Sequence, residues 1–197
     1  MNAPSAAEPQ PTRLLAVCLL IAAALISGQA SILYLTGQPP FCACGTIRLW
    51  IGSVSSAETS QQLTDWYTFS HLLHGVMFYG LLHLIARRVP LPVRFVIAVG
   101  LEAGWELLEN TPLVIERYRQ SALAQGYFGD SVLNSVSDTL AAAAGFAAAS
   151  ILPTRLTIVL VIVIELTVGY LIRDNLTLNI IQLLHPSQWI SQWQSAR

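Results

Sequence analysis

The chain contains no lysine: all ten basic residues among its 197 are arginine, and eleven acidic residues bring the formal net charge to -1. Charged residues make up only 11% of it, where about a quarter is usual in a soluble domain. That inventory offers no basic stripe or patch, so nucleic-acid binding through phosphates is excluded. Three cysteines are too few for a disulfide framework, and no zinc-finger spacing joins them. A Walker-type phosphate loop, a dinucleotide fingerprint and a Gly-x-Ser-x-Gly elbow are also missing, which argues against nucleotide-driven transport, nicotinamide chemistry and a serine hydrolase of that design. What the chain has in quantity is apolar side chain, at 54%.

The apolar residues gather into five stretches, 14–35, 69–86, 93–108, 132–152 and 156–172. Each approaches the roughly 20 residues that cross a bilayer core. The expected fold is an all-α integral membrane protein with about five transmembrane helices, a short outer-loop helix and a C-terminal interfacial amphipathic segment. Residues 1–12, polar and rich in proline and alanine, read as a disordered tail. Residues 13–175 then form one transmembrane helical domain, and 176–197 lie along the membrane surface.

Arg13, Arg87, Arg88, Arg94 and Arg155 fall on one side of this arrangement and Arg48, Arg117, Arg119 and Arg173 on the other. The first side's connections, 87–92 and 153–155, are short and arginine-bearing, which favours a cytoplasmic amino terminus and a periplasmic carboxyl terminus in a bacterial inner membrane. Arg13, the apolar run and Gly28-Gln29-Ala30 also fit a cleaved signal peptide, but the apolar run continues through Leu35, which favours a retained helix. Either way Thr36 onward lies on the outer face.

Ionisable side chains cost about 2.5–3.5 kcal/mol each at the centre of a spanning helix, so their positions carry information. The second stretch has His71 and His74 near its start, the third has Glu102, Glu106 and Glu109 toward its end, and the fourth follows Asp130 with Asn134 and Asp138. Spacings of three and four put each set on one helical face. At about 1.5 Å per residue all three stripes sit roughly 6 to 15 Å below the same surface. Three carboxylates cannot face lipid, so the third helix is expected to turn its stripe inward, onto the other two.

Two imidazoles among carboxylates suit a divalent metal such as zinc, iron or manganese, and equally suit acid/base catalysis. No His-Glu-x-x-His or Glu-x-x-His motif selects among these. In the concrete version His71, His74, Glu106 and Glu109 are metal ligands, Glu102 and Asp138 catalytic carboxylates, and Arg117, Asn134 and Asp130 substrate contacts. Arg117 would clamp an anionic headgroup in a bidentate fork. The alternative is a hydrogen-bonded polar network that only fixes helix packing.

The run Asp65-Trp66-Tyr67, Ser70-His71, His74-Gly75, Glu102, Trp105-Glu106, Glu109-Asn110, Gly129-Asp130-Ser131, Asn134-Ser135 and Asp138, with Cys42-x-Cys44-Gly45 and Leu49-Trp50, resembles an uncharacterised multi-pass inner-membrane family of proteobacteria. The likeness covers nearly all of the chain beyond the first helix and implies a location rather than an activity. A looser pattern, Asp65, His71, Glu102, Arg117, Asp130, Asn134 and Gly145, is similar to VanZ-like membrane proteins. Three departures separate the two: Asp65 lies six residues before His71, no lysine follows Asp65, and the glutamine expected after the Glu is absent. That similarity implies a role at the envelope.

Several residues stand outside the constellation. Cys42 and Cys44 would meet an oxidising compartment, where disulfide formation, inter-chain pairing, metal capture and plain turn thiols are all open. Glu165 sits in the fifth stretch without a local cation, which suggests either a buried hydrogen-bonded carboxyl or a proton path. The functional expectation is therefore an inner-membrane protein with a periplasm-facing His/Glu/Asp pocket, performing metal-assisted or acid/base chemistry on a lipid-linked envelope substrate. A structural accessory subunit of a larger membrane complex and an ion-coupled transporter are the alternatives. Expected partners are membrane lipids and a membrane-protein partner or second copy.

Overall fold

Long apolar runs with no interior proline satisfy their own backbone by coiling, and the punctuation between them decides where each helix begins. In the computed structural model, which describes residues 11–121 and 123–196, the helices are α1 Pro11–Leu35, α2 Thr68–Ile85, α3 Leu91–Glu109, α4 Pro112–Tyr118, α5 Val132–Ile151, α6 Thr154–Ile172, α7 Leu176–Leu184 and α8 Gln188–Ser195. No strand occurs among the described residues. Pro92 and Pro112 stand in the first turns of α3 and α4, where their missing N–H leaves no hydrogen bond unmade. Ser131 and Asn175 cap α5 and α7 by accepting from the amides of Asn134 and Leu178. The expected disordered tail falls mainly on residues 1–10, outside the described residues; Pro11 and Thr12 already belong to α1.

Four helices are long and apolar enough to cross a membrane: Thr12–Leu35, Thr68–Ile85, Val132–Ile151 and Thr154–Ile172. The third expected span, α3, has comparable length but carries Arg94, Glu102, Glu106 and Glu109, and is not among them. Leu156, Ile158, Val159, Ile162, Val163 and Leu166 of α6 are all exposed, an apolar surface that water would not tolerate and lipid would. The short helix expected in the outer loop is present as α4, and the tail beyond the last span forms α7 and α8.

The tightest seam joins α2 to α5. A Cβ built on Gly75 would lie 1.8 Å from the carbonyl oxygen of Ala142, and one on Gly145 would lie 2.0 Å from that of Leu72. The two backbones therefore touch with no side chain between them, as small residues allow in membrane helices. Below this seam Phe146, Leu82 and Ala98 form a buried cluster with Phe78, Tyr79 and Phe95 around it. Helix α3 packs against α1 and α5. Its Glu102 and Glu106 are consequently buried, as an inward-turned stripe requires.

Residues 36–67 form an irregular segment that closes over the start of α2. Asp65, buried, organises it by accepting from the amides of Ser60 and Tyr67, each at 2.7 Å. Cys42 and Cys44 are joined as a disulfide across a single residue. Trp50 and Trp66 meet edge to face at 5.1 Å, and each ring lies 6.1 Å from Phe69 at the head of α2.

Candidate functional site

Helix α2 presents His71 and His74 one turn apart, and both imidazoles point at one carboxylate. Glu102 accepts from His71 Nδ1 at 2.7 Å and from His74 Nδ1 at 3.1 Å to each of its oxygens. In a neutral imidazole whose Nδ1–H is so engaged, Nε2 is the nitrogen left as an acceptor. His71 Nε2 faces Asp138 Oδ2 across 3.9 Å. On the other side Glu106 Oε1 lies 3.1 Å from His71 Nδ1 yet accepts no hydrogen bond, because that N–H is aimed at Glu102. Exposure is 6% for His71, 0% for Glu102, 1% for Glu106 and 3% for Asp138.

A second layer holds these groups in place. Ser135 donates to Glu106 Oε2 at 2.7 Å, Gln29 donates to Ser135 Oγ at 2.8 Å, and Thr139 donates to Gln29 Oε1 at 2.8 Å. The chain Gln29, Ser135 and Glu106 thus ties α1, α5 and α3 together beneath the site. Toward the loops, Asp130 accepts from Asn110 at 2.7 Å and from the Tyr127 hydroxyl at 3.0 Å, while its own amide donates to Asn110 Oδ1 at 2.6 Å. Asn134, expected as a substrate contact, donates instead to the carbonyl of Gln62 at 2.9 Å and is buried against the outer segment.

Two neighbouring spaces border this cluster. A polar cavity of about 50 Å³ is lined by His71, Glu109, Asp130, Asp138 and Asp174 together with Tyr67, Tyr118 and Tyr127. No arginine or lysine lines it. An apolar groove of about 600 Å³ runs alongside, walled by Met77, Phe78, Leu101, Trp105 and Leu108 of α2 and α3 and by Leu176, Ile180, Leu183 and Leu184 of α7. Tyr67, His71, Glu109, Tyr118 and Asn179 belong to both linings, so the two spaces adjoin across these side chains.

The cavity's outer walls are electrostatically one-sided. Burial, reinforced by the Glu106 charge, pushes the Asp130 carboxyl up to about 7, against the hydrogen bonds from Asn110 and Tyr127. Burial likewise lifts Asp174 to about 7 against the Asn175 amide and the Tyr67 hydroxyl. Tyr67, Tyr118 and Tyr127 are held well above the ordinary phenol range, first by burial and then by the neighbouring carboxylates, so each remains a neutral donor.

Of the residues singled out from the sequence, His71, His74, Glu102, Glu106, Glu109, Asp130 and Asp138 come together in three overlapping groups. Each group offers ligand atoms within 4.8 Å of one another: His71, His74 and Glu102; His71, Glu106 and Asp138; Glu106, Glu109 and Asp130. Arg117 is engaged elsewhere: its Nε donates to the carbonyl of Leu183 at 2.8 Å and its Nη1 to Gln120, and it lines neither space. Glu165, expected at mid-membrane, accepts from the amides of Leu176 and Thr177 at 3.0 and 3.1 Å and caps α7. Sequence reasoning missed Gln29, whose signal was a lone amide in an apolar run, and missed Asp174, Asn179 and the three tyrosines, which carry no periodic signal.

The arrangement can now be set beside known proteins. Residues 33–196 match a family described as protein of unknown function, DUF2585. The chain belongs to that family. Relatives within curated proteins, each called a UPF0314 protein, include one from Brucella anthropi, 51% identical over 176 residues and 89% of each chain, and one from Sphingopyxis alaskensis, 52% identical over 89% of this chain and 94% of the relative. A third, from Rhizobium meliloti, is 45% identical over 99% of both. No solved structure matches. The uncharacterised proteobacterial family expected from the motifs is thus the one found, whereas the VanZ-like similarity draws no support from these matches. The DUF2585 region contains every residue of the cluster and begins inside α1, two residues before its end.

Proposed function

We propose that this DUF2585 protein performs metal-assisted chemistry on a lipid-linked substrate at the periplasmic face of the inner membrane, with α3 as a fifth, internally supported span. One observation carries the reading. Glu106 Oε1 and Asp138 Oδ1, on two nearly fully buried carboxylates flanking His71, have no hydrogen-bond partner, and Asp138 lines an acidic cavity that shares His71 and Glu109 with an apolar groove. A buried acceptor left unmade costs about 1–3 kcal/mol, more when charged, so such a pair is retained for something that binds it.

A divalent cation held by His71, Glu106 and Asp138 answers that deficit. The 3.9 Å from His71 Nε2 to Asp138 Oδ2 is less than twice a metal–ligand bond of about 2.1 Å, so one ion can touch both. Glu102 then plays an orienting part, fixing the His71 tautomer in the carboxylate–histidine–metal manner. An ion bound there would supply Lewis-acid polarisation of the scissile group or its attacking water. The groove supports the lipid-linked part of the reading, because its walls are apolar and their outer residues Met77, Leu101 and Leu184 are exposed where lipid lies.

The test is a comparison of extracted membrane lipids incubated with the detergent-purified full-length protein, followed by mass spectrometry. The parent should convert at least one lipid class and lose that conversion with a chelator, and His71→Ala and Asp138→Asn should lower it about 100-fold or more. Gly104→Phe should lower it too. Gly104 lines the groove and its Cβ would meet nothing within 4 Å, so the ring fills the groove and leaves the cluster intact. Identical lipid profiles with and without the protein, together with no bound metal, would remove the proposal.

A further inference from the structure

Building on the metal reading above, we infer that the site holds two divalent cations, not one, with the Glu106 carboxylate bridging them. The triad His71, Glu106 and Asp138 and the triad Glu106, Glu109 and Asp130 each bring three ligand atoms within 4.8 Å, and Glu106 is their one shared member. A carboxylate bridging two ions about 3.5–4 Å apart is the usual connection in two-metal sites. The triad of His71, His74 and Glu102 has no such vacancy, since both Glu102 oxygens already accept from imidazoles.

Unpartnered oxygens occur on both sides of the bridge. Asp138 Oδ1 belongs to the first triad, Glu109 Oε2 to the second, and Glu106 Oε1 to both; Glu106 and Asp138 are more than nine-tenths buried. Charge gives a second, separate argument. Glu106, Glu109, Asp130 and Asp138 carry four formal negative charges when ionised; the last three line the cavity, and no arginine or lysine lines it with them. One divalent ion leaves two of those charges uncompensated in a poorly solvated space, whereas two ions balance them. The set is one imidazole with four carboxylates, which suits manganese or ferrous iron better than a thiolate-seeking ion.

Two ions also change what the chamber admits. With carboxylates alone it repels anions; with a pair of cations at its floor it accepts an oxyanion across both. The lipid-linked substrate is then a phosphate ester, whose attacking and leaving oxygens a two-metal clamp stabilises together.

The experiment uses the full-length protein in detergent, stripped with chelator, loaded with Mn²⁺, desalted and measured by elemental analysis and electron paramagnetic resonance. About two Mn per chain and an exchange-coupled signal are expected. Asp138→Asn and Glu109→Gln should each retain about one ion with an isolated six-line spectrum, Glu106→Gln should fall below one, and inorganic phosphate should alter the parent's coupled signal. One Mn per chain, or a six-line spectrum in the parent, overturns the pair while leaving a single-metal site standing; no Mn at all overturns both readings. An unchanged spectrum with phosphate overturns the substrate class. If Glu106→Gln does not fold, the parent spectrum and the other two variants still decide the matter.

Discussion

His71 and Glu102, 31 residues apart in sequence and on different helices, meet at 2.7 Å, and the same carboxylate also receives His74. A single fully buried acid therefore fixes the tautomer of both imidazoles. Glu102→Gln keeps the volume and removes the charge. It should weaken divalent-metal binding about 10- to 100-fold, because the Nδ1–H donors lose the charged acceptor that raises the basicity of the rings. Isothermal titration with Mn²⁺ on parent and variant checks this, and equal affinities would show that Glu102 does not act through the histidines.

The α2–α5 seam makes a sharper statement about stability. Gly75→Ala places a Cβ on top of the Ala142 carbonyl, which only a shift of one helix relieves. It should cost about 1–3 kcal/mol or more as overpacking. Gly104→Ala, with open space at its Cβ, should cost nothing measurable. Thermal melts in one detergent compare the two, and similar midpoints would refute the close approach.

Asp174 gives a pH dependence with a definite sign. Its carboxyl is lifted from the ordinary 3.8 to about 7 by burial. A raised acid favours the folded state most below 3.8, and that advantage is lost as pH rises through about 7. Stability should therefore fall between pH 4 and pH 8, by a few kcal/mol at most from this group, and Asp174→Asn should flatten the curve. Asp130, raised in the same direction, keeps some slope in the variant. A parent that is more stable at pH 8 than at pH 5 would contradict the assignment.

Glu165→Gln separates capping from proton transport. The Glu165 carboxylate receives the first amides of α7 and the Thr177 hydroxyl, so its charge complements a helix N-terminus. Losing the charge should cost about 0.3–1 kcal/mol and loosen α7, seen as faster amide exchange over residues 176–180, with proton flux in vesicles unchanged. A fall in flux would restore the ion-coupled reading.

Much of this site was legible before any coordinates. Spacing of three and four gave each stripe a face, the cost of charge in lipid turned those faces inward, and comparable depth put them at one level. What spacing cannot give is the partner of each atom. That Glu102 would serve two histidines while Glu106 and Asp138 kept a free oxygen depends on how far α2, α3 and α5 are rotated, which Gly75 and Gly145 set by letting two backbones touch. Arg117 shows the same limit: it stands beside the site in sequence and is turned to the carbonyl of Leu183 by the docking of α7 on α4.

The amino-acid sequence on its own determined that the chain carries helices apolar enough to cross a membrane and that its acids and imidazoles should share an interior, because hydrocarbon penalises charge wherever it occurs. Only the tertiary structure decided that α7 returns over the site to wall a groove, that Glu165 holds its first turn, and that Gln29 anchors α1 beneath Glu106. Those are contacts between segments far apart in the chain, and local periodicity carries no record of which distant surface a helix will meet.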